Sequence, residues 1–326
     1  MLLLHNDSVI PAWNLALEEY LLTQTKLEII VLWRNSPSVI IGRNQNALEE
    51  IDAAYVRENA IDVIRRQSGG GAVFHDLGNI NFTVIHALGQ SDFNNYSKFT
   101  QPVCEFLNTL GIKAYLHGRN DLLIGGMKFS GNAQAVRGGR IMHHGTLLYN
   151  ADVGRLAGAL RPNPAKIQSK AVASVRSRVT NIAAHLECAS PPPAEDFLSG
   201  LYEFYRSRPD MREYKLTEAD REATDRLARE KYSSWDWNFG KSPDYTYKKY
   251  GYFPAGGVSV SLSAKNAAIK DIAIRGDFFG MREISVLESA LRGIPHERAA
   301  IQKALESVKL GDYIAGITPD EFLSLF

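Results

Sequence analysis

The chain reads as an α+β protein with a largely antiparallel or mixed sheet, followed by a smaller α/β unit. Three observations predict this. Residues 79–85, NINFTVI, set Ile80, Phe82 and Val84 on one side and Asn81, Thr83 and Ile85 on the other, the period of a half-buried strand. Residues 13–22, WNLALEEYLL, put apolar side chains at 13, 16, 17, 20 and 21, which is helical spacing. Residues 113–149 break into short strands with no helix between them, which favours hairpins over parallel crossover units.

The remaining elements follow in order. Strands are expected at 28–33 and 38–42, separated by the turn Asn35-Ser36-Pro37. Residues 48–59 suit a helix and 60–64 a strand. After residues 79–85, residues 98–110 suit a helix closed by Gly111. Strands are expected at 113–116, 121–124, 128–135 and 140–149, then a short helix at 152–160. Residues 161–180 are basic, rich in Ser and Ala, and carry two prolines, the character of a surface loop able to order over a ligand. Helices are expected at 194–208 and 217–231. A second unit begins near 245, with strands at 245–253, 257–264 and 267–275 and helices at 285–291 and 297–308. The domains are therefore set at 1–244 and 245–326.

Bulk composition narrows the class. The chain has 326 residues, 45% hydrophobic and 22% charged, enough apolar material for a full core. A net charge of +1 gives no broad footprint for nucleic acid. The two cysteines, Cys104 and Cys188, are far apart, so neither a zinc spacing nor a disulfide framework is indicated. No run approaches the ~18 apolar residues of a membrane helix, and the N-terminus lacks a basic targeting region. The expectation is a cytoplasmic protein without membrane or nucleic-acid partners.

Chemistry concentrates in three segments. The first is RRQSGGGAVFHD, residues 65–76, where Gly69, Gly70 and Gly71 follow Arg65, Arg66 and Ser68 and precede His75-Asp76. Glycine permits positive φ and close backbone approach to a ligand, and successive N–H groups in such a turn form an anion-binding concavity. It is not a P-loop, since no G-x-x-x-x-G-K-[ST] occurs, and Phe74 stands where a dinucleotide fingerprint needs glycine. The loop is expected to join strand to strand in a hairpin-like turn. The second segment, NDLLIGGMKFSGNAQ from Asn120, holds one lysine, Lys128, after Gly125-Gly126 and before Ser130-Gly131. The third, MHHGTLL from Met142, has adjacent histidines that point to opposite faces of a strand and so do not share a metal. His143 and His144 read as packing or hydrogen-bonding residues, and Asp76, Asp121, Glu18 and Glu19 as isolated carboxylates. No nucleophile–base pair stands out, and no side-chain cluster suggests a metal. Glycine backbone, arginine and lysine suit positioning and charge stabilisation of a phosphorylated intermediate.

Together these segments resemble the lipoate–protein ligase A family. The resemblance is carried by NLALEEYLL, LWRNSPSVIIGRNQNALEEID, RRQSGGGAVFHDLGNINFTVI, GRNDLLIGGMKFSGNAQ, HHGTLL and KAVASVRSRVTNI, in family order over roughly residues 1–185. The tail from about 245 resembles that family's accessory domain. The resemblance implies a biotin/lipoate A/B protein ligase-like catalytic domain with a mixed sheet and helices, plus a small α/β C-terminal domain. It implies an enzyme that activates lipoate with ATP, carried with Mg²⁺, to lipoyl-AMP. The lipoyl group then passes to a lysine of lipoyl domains, on 2-oxoacid dehydrogenase E2 subunits and the glycine cleavage H protein. ATP and adenylate contacts are implied for Arg66, for the backbone of Gly71, Ala72, Val73 and Phe74, and for Asn120, Asp121 and Lys128. Lipoate contacts are implied for Ser68, Gly70, Gly71, His75 and Lys128, with Lys128 catalytic. Lys170, Ser174 and Arg176 fall in the segment implied to close over the adenylate. Ile80, Phe82 and Val84, with the first strands, are expected to line the lipoyl tunnel. Two rivals are an octanoyltransferase on the same fold and a transferase that uses only preformed lipoyl-AMP; biotin ligase is weaker because its GRGRxGR-type loop is absent.

Overall fold

The computed structural model describes residues 1–45, 47–160, 179–239, 247–265, 268–296 and 298–326. The N-terminal part is built on a mixed sheet. β1 (Leu2–His5) and β2 (Ile29–Arg34) flank helix α1 (Pro11–Thr23) in sequence and pair in parallel. β3 (Ser38–Ile41) leads through short helices α2 (Ala47–Glu50) and α3 (Ala53–Glu58) to β4 (Asp62–Arg65), then β5 (Val73–His75) and β6 (Asn79–Ala87). The single helix expected at 48–59 is thus two, parted where Ile51 makes a bridge to Leu160. Helix α4 (Tyr96–Thr109) is followed by the antiparallel run β7 (Ala114–His117), β8 (Asp121–Ile124), β9 (Met127–Arg137) and β10 (Arg140–Leu148). Then come α5 (Val153–Ala159), α6 (Ala194–Arg206), β11 (Arg212–Glu213), α7 (Glu218–Leu227) and α8 (Trp235–Asn238). The eight-stranded order is β11-β1-β2-β6-β10-β9-β8-β7, with a separate three-stranded sheet β4-β3-β5. The expectation of a largely antiparallel, mixed sheet is met. β1 and β11 escaped the sequence reading because strands of four and two residues carry little periodicity.

Residues 79–85 are a strand, but not a half-buried one: all of them are buried. β6 lies between β2 and β10, and both of its faces are covered. Ile80, Phe82 and Val84 pack with Phe99, Val103 and Leu201 of α4 and α6. Ile85 packs on the opposite face with Leu17, Leu21 and Leu22 of α1. A central strand roofed on both sides buries its polar positions too, and alternation then marks two cores rather than core and solvent. The polar side chains on the α1 face, Asn79, Asn81 and Thr83, are the first sign of a site there.

The C-terminal unit has its own sheet, β12 (Tyr247–Phe253), β13 (Gly256–Lys265) and β14 (Ala268–Gly276), antiparallel throughout. Helices α9 (Ile284–Leu291), α10 (Arg298–Glu306) and α11 (Pro319–Leu323) cover it. A separate cluster of buried residues, including Val258, Val260, Leu287 and Phe322, forms its core. Pro319 opens α11, whose cap is a reciprocal box between Thr318 and Glu321.

Candidate active site

A pocket lies between the α1 face of the main sheet and the glycine loop. Leu15, Trp33, Ile40, Val73 and Ala133 give it an apolar wall. Arg66, Gly71, Ala72, His75, Asn120 and Lys128, all expected site residues, line the rest together with Asn81, Asn132 and His144. The structure therefore gathers seven of the expected residues, Val73 included, from two separate segments. Phe74 points away: it is buried against Val39, Ile41 and Val56, as strand alternation requires once Val73 and His75 face the pocket. Ser68, Gly70 and Asp121 sit behind or beside the lining. The expected tunnel residues are corrected. Ile80, Phe82 and Val84 belong to the core under α4 and α6, on the other face of β6, while Asn81 faces the pocket. Lys170, Ser174 and Arg176 lie outside the described residues.

The glycine loop is not a hairpin turn. β4 and β5 do not pair with each other; β3 lies between them, parallel to β4 and antiparallel to β5. The loop must cross β3, and it does so in contact. A Cβ at Gly42 would lie 2.0 Å from the Gly70 carbonyl oxygen, and Gly70 itself has φ +94°. Glycine is needed at 42 for space and at 70 for conformation. Both arginines hold this crossing. Arg66 is buried; its NH1 donates to Ile40 O at 3.0 Å, and NH2 donates to Gly69 O and Gly71 O at 2.7 and 2.8 Å. Arg65 donates to the carbonyls of Gly42, Gln45, Trp237 and Asn238. Burial pushes both guanidinium groups down to about 10, so they remain charged at neutral pH. Arg65 thus has a scaffold role, and of the pair only Arg66 reaches the pocket.

Lys128 stands on the other side. Its Nζ is 2.8 Å from Asp121 Oδ1, across β8 and β9, where the register shifts between Leu122 and Leu123. The ammonium lies over Gly131, where a Cβ would be 3.3 Å from Nζ. Asn120 Nδ2 donates to Asn132 O at 2.7 Å, tying the second segment across the hairpin. Val179 makes a parallel bridge with Lys128, and Thr180 N donates to Lys128 O at 2.8 Å. The segment implied to cover the adenylate is thus anchored, at its C-terminal end, on the backbone of the lysine.

The sequence reading found no base near a hydroxyl, and this is overturned. Ser68 Oγ is 2.6 Å from His144 Nε2, and His144 Nδ1 is 2.9 Å from Glu18 Oε1. The three residues come from positions 18, 68 and 144, so no local motif unites them. The one available clue was that Glu18 sits at a core-facing helical position beside Leu17 and Leu21, where a carboxylate demands a partner.

His75 and His143 are also buried. Asn35 Nδ2 donates to His75 Nδ1 at 3.1 Å, which leaves the proton on Nε2, an atom with no partner among the described residues. Burial, with Arg66 and His144 nearby, pushes the His75 imidazole down to about 3, and burial likewise holds His143 well below the ordinary range. An unfolded histidine binds a proton near pH 6.5 while these folded ones do not, so the unfolded chain holds more protons below that pH. Stability is therefore full above about pH 6.5 and falls on acidification, at about 1.4 kcal/mol per pH unit for each histidine. Denaturant midpoints at pH 7 and pH 5 should differ accordingly; a flat profile would contradict neutral burial.

The C-terminal unit reaches this site, which the sequence reading missed. The carbonyl of Phe278 would lie 2.2 Å from a Cβ at Gly69, and the Phe279 ring lies 4.3 Å from the Arg119 guanidinium. Gly276 N donates to Asn44 O at 2.7 Å, and Glu283 pairs with both Arg43 and Arg137. The signal in the sequence was GDFFG, residues 276–280, an aromatic pair held between glycines.

A mixed-sheet domain with a backbone-held glycine crossing, a buried arginine and a facing lysine around a part-apolar pocket defines an acyl-adenylate-forming type of ligase. The comparisons give the same class. The lipoyl protein ligase A/B catalytic domain matches residues 10–203, and the bacterial lipoate protein ligase C-terminus matches residues 242–326. The chain is 42% identical to lipoate-protein ligase LplJ of Bacillus subtilis, over 100% of this chain and 99% of that protein. It is 40% identical to lipoate–protein ligase 1 of Staphylococcus aureus, over 98% of each. Among solved structures, Plasmodium falciparum LipL1 in complex with lipoate superposes with a TM-score of 0.80 at 26% identity, covering 99% of this chain and 98% of that one. A lipoate-protein ligase A bound with ATP superposes at 0.61 with 30% identity, covering 73% of this chain and 98% of that one. The chain belongs to the lipoate–protein ligase family.

Proposed function

We propose that the pocket beside Lys128 is where this ligase joins lipoate to AMP and then passes the lipoyl group to a lysine of a lipoyl domain. The observation that carries this is the juxtaposition, in one pocket, of an apolar wall, the glycine crossing held by Arg66, and the Lys128 ammonium. Attack of a carboxylate on the α-phosphate of ATP brings negative charges together, and Lys128 and Arg66 offset that repulsion. Burying about five methylenes of the lipoyl chain against Leu15, Trp33 and Ile40 contributes ~4 kcal/mol at ~0.8 kcal/mol each. Mg²⁺ would arrive with the phosphates. Among the described residues no group of three or more His, Cys, Asp or Glu could hold a metal by itself. Asp121, an oxygen donor paired with Lys128 beside the pocket, is the residue suited to share it.

Residues 165–182, with Lys170, Ser174 and Arg176, are assigned the role of covering the adenylate, supported by the anchor of Thr180 on Lys128. The acceptor class is supported by a relative: the bipartite ligase of Thermoplasma acidophilum, 30% identical over 75% of this chain with a TM-score of 0.63, was solved as a system with its E2 lipoyl domain. E2 subunits and the H protein are the acceptors proposed here, with domains at 1–244 and 245–326 and a cytoplasmic location. No helix among the described residues is long and apolar enough to cross a membrane.

Lipoate-dependent exchange of pyrophosphate into ATP tests the reading, and its absence would point to a transferase using preformed lipoyl-AMP. A cysteine-based octanoyltransferase is disfavoured because neither Cys104 nor Cys188 lines the pocket. Arg66→Ala should raise the KM for ATP at least ~10-fold and cost roughly 3 kcal/mol of stability, since two buried carbonyls and one part-buried one lose their donor. An unchanged KM for ATP would contradict the assignment.

A further inference from the structure

We propose that Ser68, His144 and Glu18 form a proton relay that serves the second half-reaction, transfer of the lipoyl group to the acceptor amine. The inference rests on the ligase reading above and adds residues and a step to it. The hydrogen-bond directions are fixed from the ends of the network. Arg66 Nε can only donate, and it does so to Ser68 Oγ at 3.0 Å. The hydroxyl therefore has its own proton to give, and His144 Nε2 lies 2.6 Å away. The ring then carries its proton on Nδ1 and donates it to Glu18 Oε1 at 2.9 Å. Glu18 is held in turn by Thr83 Oγ1 at 2.6 Å, and Thr83 accepts from Trp33 Nε1, again a group that can only donate. Every assignment agrees with every other. The groups that bear on His144 are Glu18 on α1, Arg66 after β4, His75 on β5 and its neighbour His143 on β10.

This is a hydroxyl–imidazole–carboxylate series in which the carboxylate fixes the tautomer and the ring is left with one lone pair, occupied by the hydroxyl. Adenylate formation has no use for it, since a carboxylate attacks a phosphate and pyrophosphate leaves without loss of a proton. Transfer does need it. The neutral amine attacks the lipoyl carbonyl, the C–N bond forms, and the C–O bond to phosphorus breaks as AMP leaves with the electron pair. The nitrogen sheds one proton. Ser68 Oγ receives that proton as its own moves to Nε2 of His144, and Glu18 offsets the imidazolium. His144, Arg66 and Gly71, which enclose the buried Ser68, all line the pocket that holds Lys128.

The test separates the half-reactions. Transfer is measured with chemically prepared lipoyl-AMP and an isolated lipoyl domain, adenylation by lipoate-dependent pyrophosphate exchange, in wild type, His144→Gln and Ser68→Ala, with thermal melts as the fold control. The expected result is a transfer rate lowered by about 10²–10⁴-fold in both variants, exceeding any change in exchange by at least tenfold. Equal loss in the two half-reactions would show that the trio only braces the glycine crossing, and would overturn the relay. So would transfer at the wild-type rate in Ser68→Ala, whose small change keeps the test open if His144→Gln folds poorly. A wild-type chain that transfers no lipoyl group overturns the ligase reading itself, and the relay with it.

Discussion

Lys128→Ala should lower lipoyl-AMP formation by about 10²–10³-fold, the usual effect of removing one preorganised charge stabiliser from an active site, while leaving the fold intact. The side chain is 39% exposed and belongs to no core, so its loss opens no cavity. The anchor of Thr180 is to the backbone carbonyl of Lys128, which alanine retains. What disappears is the only lysine among the described residues that line the pocket. Asp121, 2.8 Å from Nζ, would then face incoming phosphate uncompensated and add repulsion to the lost attraction. The measurement is pyrophosphate exchange at saturating ATP and lipoate, with a thermal melt alongside. Near-normal exchange would sink the assigned role, and Lys128→Arg, which keeps charge with a different shape, would show whether position matters as much as charge.

The second large effect is expected at Gly145, in the middle of HHGTLL. Its backbone is not in the left-handed region; the constraint is space. A Cβ there would lie 2.2 Å from Asn132 Oδ1 and 2.5 Å from the Phe82 ring. Neither neighbour can give way cheaply. Phe82 is fully buried with Ile80 and Phe99, and Asn132 is fixed by Nδ2 donating to Asn120 O and Ser130 Oγ and by Oδ1 at 3.2 Å from His143 Nε2. Gly145→Ala should therefore cost about 1–3 kcal/mol by overpacking. Because Asn132 lines the pocket, it should also weaken lipoate binding beyond what the stability loss explains. Denaturant melts and the KM for lipoate check both parts. A variant as stable as wild type, with unchanged KM, would mean the strand accommodates the methyl group by a shift.

Legibility was uneven, and the pattern has a physical cause. Helix α1 and β6 were readable because each carries a periodic stretch, and the β7–β10 run because short strands follow one another with no helix between them. The glycine loop, Lys128 and His75 were readable because chemistry-bearing residues cluster locally in their segments. The Phe74 side chain turns into the core because side chains alternate along β5, a direction that a motif read through its backbone leaves open. The tunnel was assigned to Ile80, Phe82 and Val84 because the more apolar face of a strand looks like the place for an apolar ligand. In the fold that face packs on α4 and α6, and the ligand pocket uses the face with Asn81 and His144.

The sequence by itself determined the local parts: which stretches are strands, where the backbone can pass close to a ligand, and which segment holds the basic group. Those follow from periodicity and from residue types at short spacing. Only the tertiary structure decided that β3 separates the two strands flanking the glycines, that Arg65 and Arg66 are spent largely on carbonyls, that Phe278 leans on Gly69, and that Glu18, Ser68 and His144 meet. These depend on strand order and on the burial of both faces of one sheet, and contacts between residues 24 to 209 positions apart leave no period in the sequence.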